Sequence, residues 1–285
     1  MKIAISGTNG YIGGKLILEL KAAVHEVVIL GRNILYDIPA LTEKLSGTDT
    51  VIHLAGSPIL CRWTEANKAE ILSSRTETTR NIIGVINQLP DRERPQTFIS
   101  ASAIGIYTLD LHHTEESTSF SDDFVGNVVK QWENASVELT DSVRKVIFRF
   151  GLVLGKEAKT MKQLLPLFKL GLGGRIGSGK QAFPFVHIDD VTKAVLWAIM
   201  NPEEKGIYNL VAPQNITNEQ FTGELSKNLH KPALFVVPEF ALKIIYGEAA
   251  SLILQSPVVY PERLLNSGFK FSYPDIQSCL SEITA

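Results

Sequence analysis

The opening KIAISGTNGYIGG (Lys2–Gly14) decides the fold. A short apolar, β-rich run enters a turn carrying Gly7, Gly10 and Gly13, and the turn enters a helical pattern with Ile12, Leu16 and Leu20 on one stripe. Three glycines also serve plain tight turns, so the context selects the reading. A chain leaving a buried strand needs free φ at Gly7, the absent side chain at Gly10 lets backbone approach a pyrophosphate, and Gly13 lets the helix pack close to the sheet. The helix start then offers N–H groups and partial positive charge to an anion. This predicts the first βα unit of a dinucleotide-binding domain.

Four further apolar runs follow: EVVILG (26–31), DTVIHLAG (49–56), QTFISASA (96–103) and KVIFRFG (145–151). Continuous apolarity marks strands covered on both faces, and the intervals between them suit crossover helices, the longest from about Glu65 to Gln88. The expected class is α/β, a doubly wound parallel sheet with a smaller C-terminal α/β lobe. Residues 1–155 are expected to form the dinucleotide domain, with 184–212 returning to it. Residues 156–183 and 213–285 are assigned to the lobe, with helices around 217–229, 238–254 and 274–284.

The second strand ends Leu30-Gly31-Arg32-Asn33. An NAD site places a carboxylate there for the ribose hydroxyls, whereas Arg32 brings forked donors suited to a 2′-phosphate, so NADP(H) is the expected cofactor. The third strand ends in Leu54, Ala55 and Gly56, small enough for a dinucleotide to lie flat. His53, flanked by apolar residues, reads as a core histidine rather than a catalyst.

Composition narrows the partners. The chain has 285 residues, 45% hydrophobic and 20% charged, with a formal net charge of −2. That balance gives no basic footprint for nucleic acid or an anionic membrane and points to a small-molecule ligand. Cys61 and Cys279 stand far apart without a CxxC pair, so neither a disulfide framework nor a metal site is expected, and a reducing cytoplasm fits. No export signal or membrane span is expected.

These glycine, acid-free and small-residue motifs together resemble the extended short-chain dehydrogenase/reductase superfamily of epimerases and dehydratases. SASAIGIY (100–107), RFGLVLG (149–155), GLGGRIGSGKQAFPFVHIDDV (171–191) and SGFKFSYP (267–274) resemble, within it, the atypical epimerase-like family. Phe185 stands where that family commonly has Trp. The resemblance implies a nucleotide-binding NADP fold. Its contacts would come from the loop Gly7, Thr8, Asn9, Gly10, Tyr11, Ile12 and Gly13, from Gly31 and Arg32, from Leu54, Ala55 and Gly56, and from Glu70, Arg75 and Val153. Arg62 and Trp63 would line the substrate pocket.

One expected element is missing. Members that move hydride beside an alcohol usually carry a Tyr four residues before a Lys on the helix after the fourth strand, so that the ammonium lowers the phenol's pKa. In FVGNVVKQWE (124–133), pinning Glu133 to the acid that often ends the pattern puts Val125 and Val129 at those two places. Lys130 is about 100° round the helix from that register. Ser102 and Tyr107 are the candidate catalytic hydroxyls, although their spacing is one residue longer than usual. Asp189 is expected to cap the helix opening at PFVHIDD. The functional expectation is an oxidoreductase or epimerase of atypical mechanism on a small molecule, with a homodimer as the candidate assembly. The alternative is an NADP(H)-binding sensor without turnover.

Overall fold

The apolar runs form the expected sheet in the computed structural model, which describes residues 1–109 and 111–285. β1 (Lys2–Ser6) leads into α1 (Tyr11–Ala22), β2 (Glu26–Leu30), α2 (Ile38–Leu45), β3 (Thr50–His53), α3 (Glu65–Gln88) and β4 (Thr97–Ala103). A two-residue strand β5 (His112–His113), α4 (Phe124–Asn134), β6 (Arg144–Phe150), β7 (Leu152–Leu154), α5 (Lys159–Lys169) and β8 (Gly174–Ile176) come next. β9 (Phe185–His187), α6 (Ile188–Met200), β10 (Gly206–Leu210), α7 (Asn218–Leu229) and β11 (Phe235–Val237) follow. α8 (Glu239–Tyr246), α9 (Ser251–Leu254), β12 (Val258–Val259), α10 (Glu262–Asn266) and α11 (Ile276–Thr284) end the chain.

Six strands build the main sheet in the order β10-β6-β4-β3-β1-β2, every pairing parallel. β2 and β3 lie on opposite sides of β1, so the strand order reverses there and leaves a crevice at the strands' C-terminal ends. Leu16 and Leu20 of α1 and Val191, Ala194 and Val195 of α6 cover one face of the sheet. Leu41 and Leu45 of α2 and Ile82 and Ile86 of α3 cover the other. A separate core gathers Met161 and Phe168 of α5, Phe221 and Leu225 of α7 and Leu280 and Ile283 of α11.

Local chemistry sets the element ends. Thr64 caps α3 by accepting from Asn67 N, Asp123 caps α4 through Gly126 N at 2.7 Å, and Thr217 with Gln220 forms a capping box on α7. Two expectations are corrected. The helix expected over 238–254 is broken at Gly247, whose φ of +62° ends α8 before a short turn enters α9. The cap of α6 is His187, whose ring accepts from Asp189 N; Asp189 lies inside the first turn and faces Lys15 at 3.2 Å.

Candidate active site

The crevice of about 280 Å³ is lined by Gly7, Thr8, Asn9 and Gly10, by Gly31 and Arg32, and by Leu54, Ala55 and Gly56. Nine of the residues expected at a cofactor are thus brought together by the ends of three strands. Gly7 has φ +73°, and a Cβ there would sit 2.6 Å from the carbonyl carbon of Leu54. A Cβ on Gly13 would meet Gly7 O at 2.3 Å, so α1 reaches the loop only because that atom is absent. No side chain caps α1 and its first turn carries no acid, which leaves the positive end of the helix open to an anion. The lining also includes Leu35, Tyr36, Ser57, Pro58, Ser74 and Thr78, which sequence reasoning missed. Ser74 and Thr78 lie one turn apart on α3, a polar i, i+4 pair that periodicity could have revealed.

Charged groups gather at the mouth. Arg32 is exposed and donates to Glu70 Oε1, which also accepts from Ser57 Oγ at 2.8 Å. These bonds, that of Ser57 foremost, hold the Glu70 carboxyl below its usual range. Arg75 donates to Ile71 O at 2.9 Å and to Ser57 O at 3.0 Å, and it lies over the Trp132 ring. Its guanidinium abuts Gly56, where a Cβ would stand 3.1 Å from Cζ. Among the described residues no carboxylate pairs with Arg75, and burial lowers its pKa to about 10. Glu70 and Arg75 therefore flank the cleft rather than line it.

Behind the floor sits a closed hydrogen-bond chain. Leu54 N and Ala55 N donate to Ser6 Oγ at 3.1 and 3.3 Å, so the hydroxyl's own proton goes to His53 Nδ1 at 2.7 Å. The ring proton must then lie on Nε2, facing Thr78 Oγ1 at 3.3 Å, and Thr78 donates onward to Ser74 O. His53 is fully buried, and burial with the nearby Arg75 charge pushes its pKa down to about 3.

Other expected site residues lie outside the crevice. Tyr11 and Ile12 pack on the core beside it, and the Tyr11 phenol stands over Gly155, its pKa raised to about 12 by burial and by nearby Asp189. Val153 pairs in register with Val186 and is half-buried. Trp63 packs on Phe124 with ring centroids 4.8 Å apart and donates to Ile59 O, while Arg62 is exposed.

The two candidate hydroxyls are engaged in a buried polar network. Ser102 Oγ donates to Glu133 Oε1 at 2.5 Å. Arg149, 2% exposed, donates to both oxygens of Glu133 at 2.8 and 2.7 Å and to Tyr107 Oη at 2.7 Å. Tyr107, 1% exposed, donates to Asn209 Oδ1 at 2.9 Å, and burial raises its pKa against the pull of Arg149. Val125 and Val129 are buried in an apolar cluster, and Lys130 turns out to Asp122. The face that would carry Tyr and Lys is hydrocarbon.

Residues 3–211 match the family model described as the NAD dependent epimerase/dehydratase family, and 237–283 match a domain of unknown function. The chain is 35% identical to the cattle epimerase family protein SDR39U1 over 297 residues, covering all of both chains. It is 34% identical to YfhF of Bacillus subtilis, over 100% of this chain and 98% of that one. The crystal structure of human epimerase family protein SDR39U1 with NADPH superposes with a TM-score of 0.92 at 32% identity, over 100% of this chain and 99% of that one. No helix among the described residues is long and apolar enough to cross a membrane. With its glycine loop, reversed strand order and end-to-end similarity to these proteins, the chain belongs to the NAD dependent epimerase/dehydratase family.

Proposed function

We propose that this chain binds NADP(H) in the crevice, in preference to NAD(H), and uses it as an atypical short-chain dehydrogenase/reductase on a small molecule. The observation that carries the preference is Arg32 at the crevice mouth with no acid at the end of β2. The glycine cradle admits a pyrophosphate, Arg32 takes the 2′-phosphate, and Arg75, which has no carboxylate partner among the described residues, supplies a second cation. NADPH bound there would supply hydride. Residues 156–183 and 213–285 form the lobe that selects the substrate. Arg32→Ala is expected to weaken NADPH binding by about 1–3 kcal/mol, roughly a 5- to 150-fold rise in its dissociation constant, and to leave that for NADH unchanged. Equal loss for both cofactors would sink the assignment.

For the proton, Ser102 and Tyr107 are the proposed sources, acting through the Glu133–Arg149 network that already holds them. That same engagement favours a second reading, in which NADP(H) is held as a sensed ligand without turnover. Following NADPH absorbance against a panel of aldehydes and ketones separates the two. Decay with any member supports hydride transfer, and tight binding without decay across the panel supports the sensor.

A further inference from the structure

Several large exposed apolar side chains belong to the segments around β8, β11 and α8. Leu170, Leu172, Leu234, Phe235, Phe240 and Ile244 are 52–86% exposed, whereas α3 and α4 expose no large apolar side chain. Pairing of β8 with β11 brings the turn before β8 beside the strand, with Phe235 N donating to Gly173 O, and α8 follows β11 directly. These apolar residues are therefore carried by neighbouring segments. Exposed apolar surface of this kind marks an interaction site.

We propose that it is a homodimer interface in which β11 pairs antiparallel with β11 of a second copy across a twofold axis. β11 belongs to a two-stranded sheet and has β8 on one side only. Phe235 N and Val237 O are turned to β8, so alternation turns the N–H and C=O of Val236 to the open edge. That edge is flanked by Leu234 and carries no charge, which makes it a template for another strand. The same strand in a second copy satisfies it symmetrically, because Val236 opposite Val236 of the partner exchanges two hydrogen bonds on the axis.

The neighbouring helix has the matching symmetry. Phe240 and Ile244 lie one turn apart on α8, and Glu239 and Lys243, also one turn apart, stand 3.9 Å from each other in the exposed helix. An antiparallel helix pair about the same axis sets each Glu239 near the other copy's Lys243. Strand pairing covers Leu234 and Val236 on one side of β11 and Phe235 and Val237 on the other, and the helix pair covers Phe240 and Ile244; at on the order of 100 Å² apiece these remove roughly 600 Å² per protomer, within the range of a specific interface. The proposal is independent of the cofactor reading.

Light scattering coupled to size exclusion at micromolar concentration tests it. The native chain is expected at twice its 31.4 kDa mass. Phe240→Asp with Ile244→Asp is expected to give a monomer, raising the dimer dissociation constant at least about 100-fold, as does Val236→Pro through loss of the edge N–H. Phe240 and Ile244 are 66% and 68% exposed, so circular dichroism and thermal unfolding of that variant should match the native chain. A native monomer overturns the proposal, as does a dimer that survives both substitutions. A native monomer that floats with phospholipid vesicles assigns the face to a lipid surface instead.

Discussion

Arg149→Ala is expected to cost about 3–5 kcal/mol of folding stability, because it leaves the Glu133 carboxylate in a nearly closed site without its counter-charge. Glu133 is 13% exposed at its side chain and receives both arms of the Arg149 guanidinium. Burial disfavours the charge on Arg149, yet its bonds to Glu133 outweigh that and its pKa is raised. Removing the arginine also takes a donor from Tyr107 and leaves Ser102 alone to satisfy the carboxylate. Urea unfolding measures the cost. Replacing both partners with hydrocarbon, Arg149→Met with Glu133→Leu, should cost less than the single change, since no charge is then stranded. A loss for Arg149→Ala below about 1 kcal/mol, the range of an exposed pair, would show that water reaches the site.

Stability should also fall as pH drops from about 6.5 toward 3, because His53 stays neutral in the fold while the same imidazole protonates in the unfolded chain. The sign follows from proton counts: within that window the unfolded state binds one more proton, so acid favours unfolding. The stabilisation is complete above the unfolded pKa and is lost on descending through the window, at up to about 1.4 kcal/mol per pH unit for this group. Protonation also places a second proton at Nδ1, where Ser6 already donates. His53→Gln removes the titration and keeps polar atoms near Ser6 and Thr78. Its urea-unfolding free energy should fall with acid less steeply than the native value by about one proton's slope. An unchanged slope would assign the acid sensitivity to other groups.

Much of the fold was legible because its signals are local. Apolar runs of strand length and the glycine loop each act over a few residues, and α3 covers the span expected for the longest helix. Gly247 was misread because the apolar pattern continues across it, while its positive φ follows from how α8 and α9 lie in the fold. His187 was missed as a cap because an imidazole is not among the usual capping side chains.

The main sheet's strands with their crossover helices, the glycine cradle, the acid-free end of β2 and the hydrocarbon face where Tyr and Lys would stand are all readable in the residues alone. Each is a matter of residue type at fixed local spacing. Where protons and charges go depends on how the chain folds back on itself. Ser102 meets Glu133 across 31 residues and Tyr107 meets Asn209 across 102, Arg75 is left without a carboxylate among the described residues, and β11 and α8 keep apolar side chains exposed. Hydrogen bonds and burial of this kind join segments remote in sequence, and no periodicity along the chain encodes which segments meet.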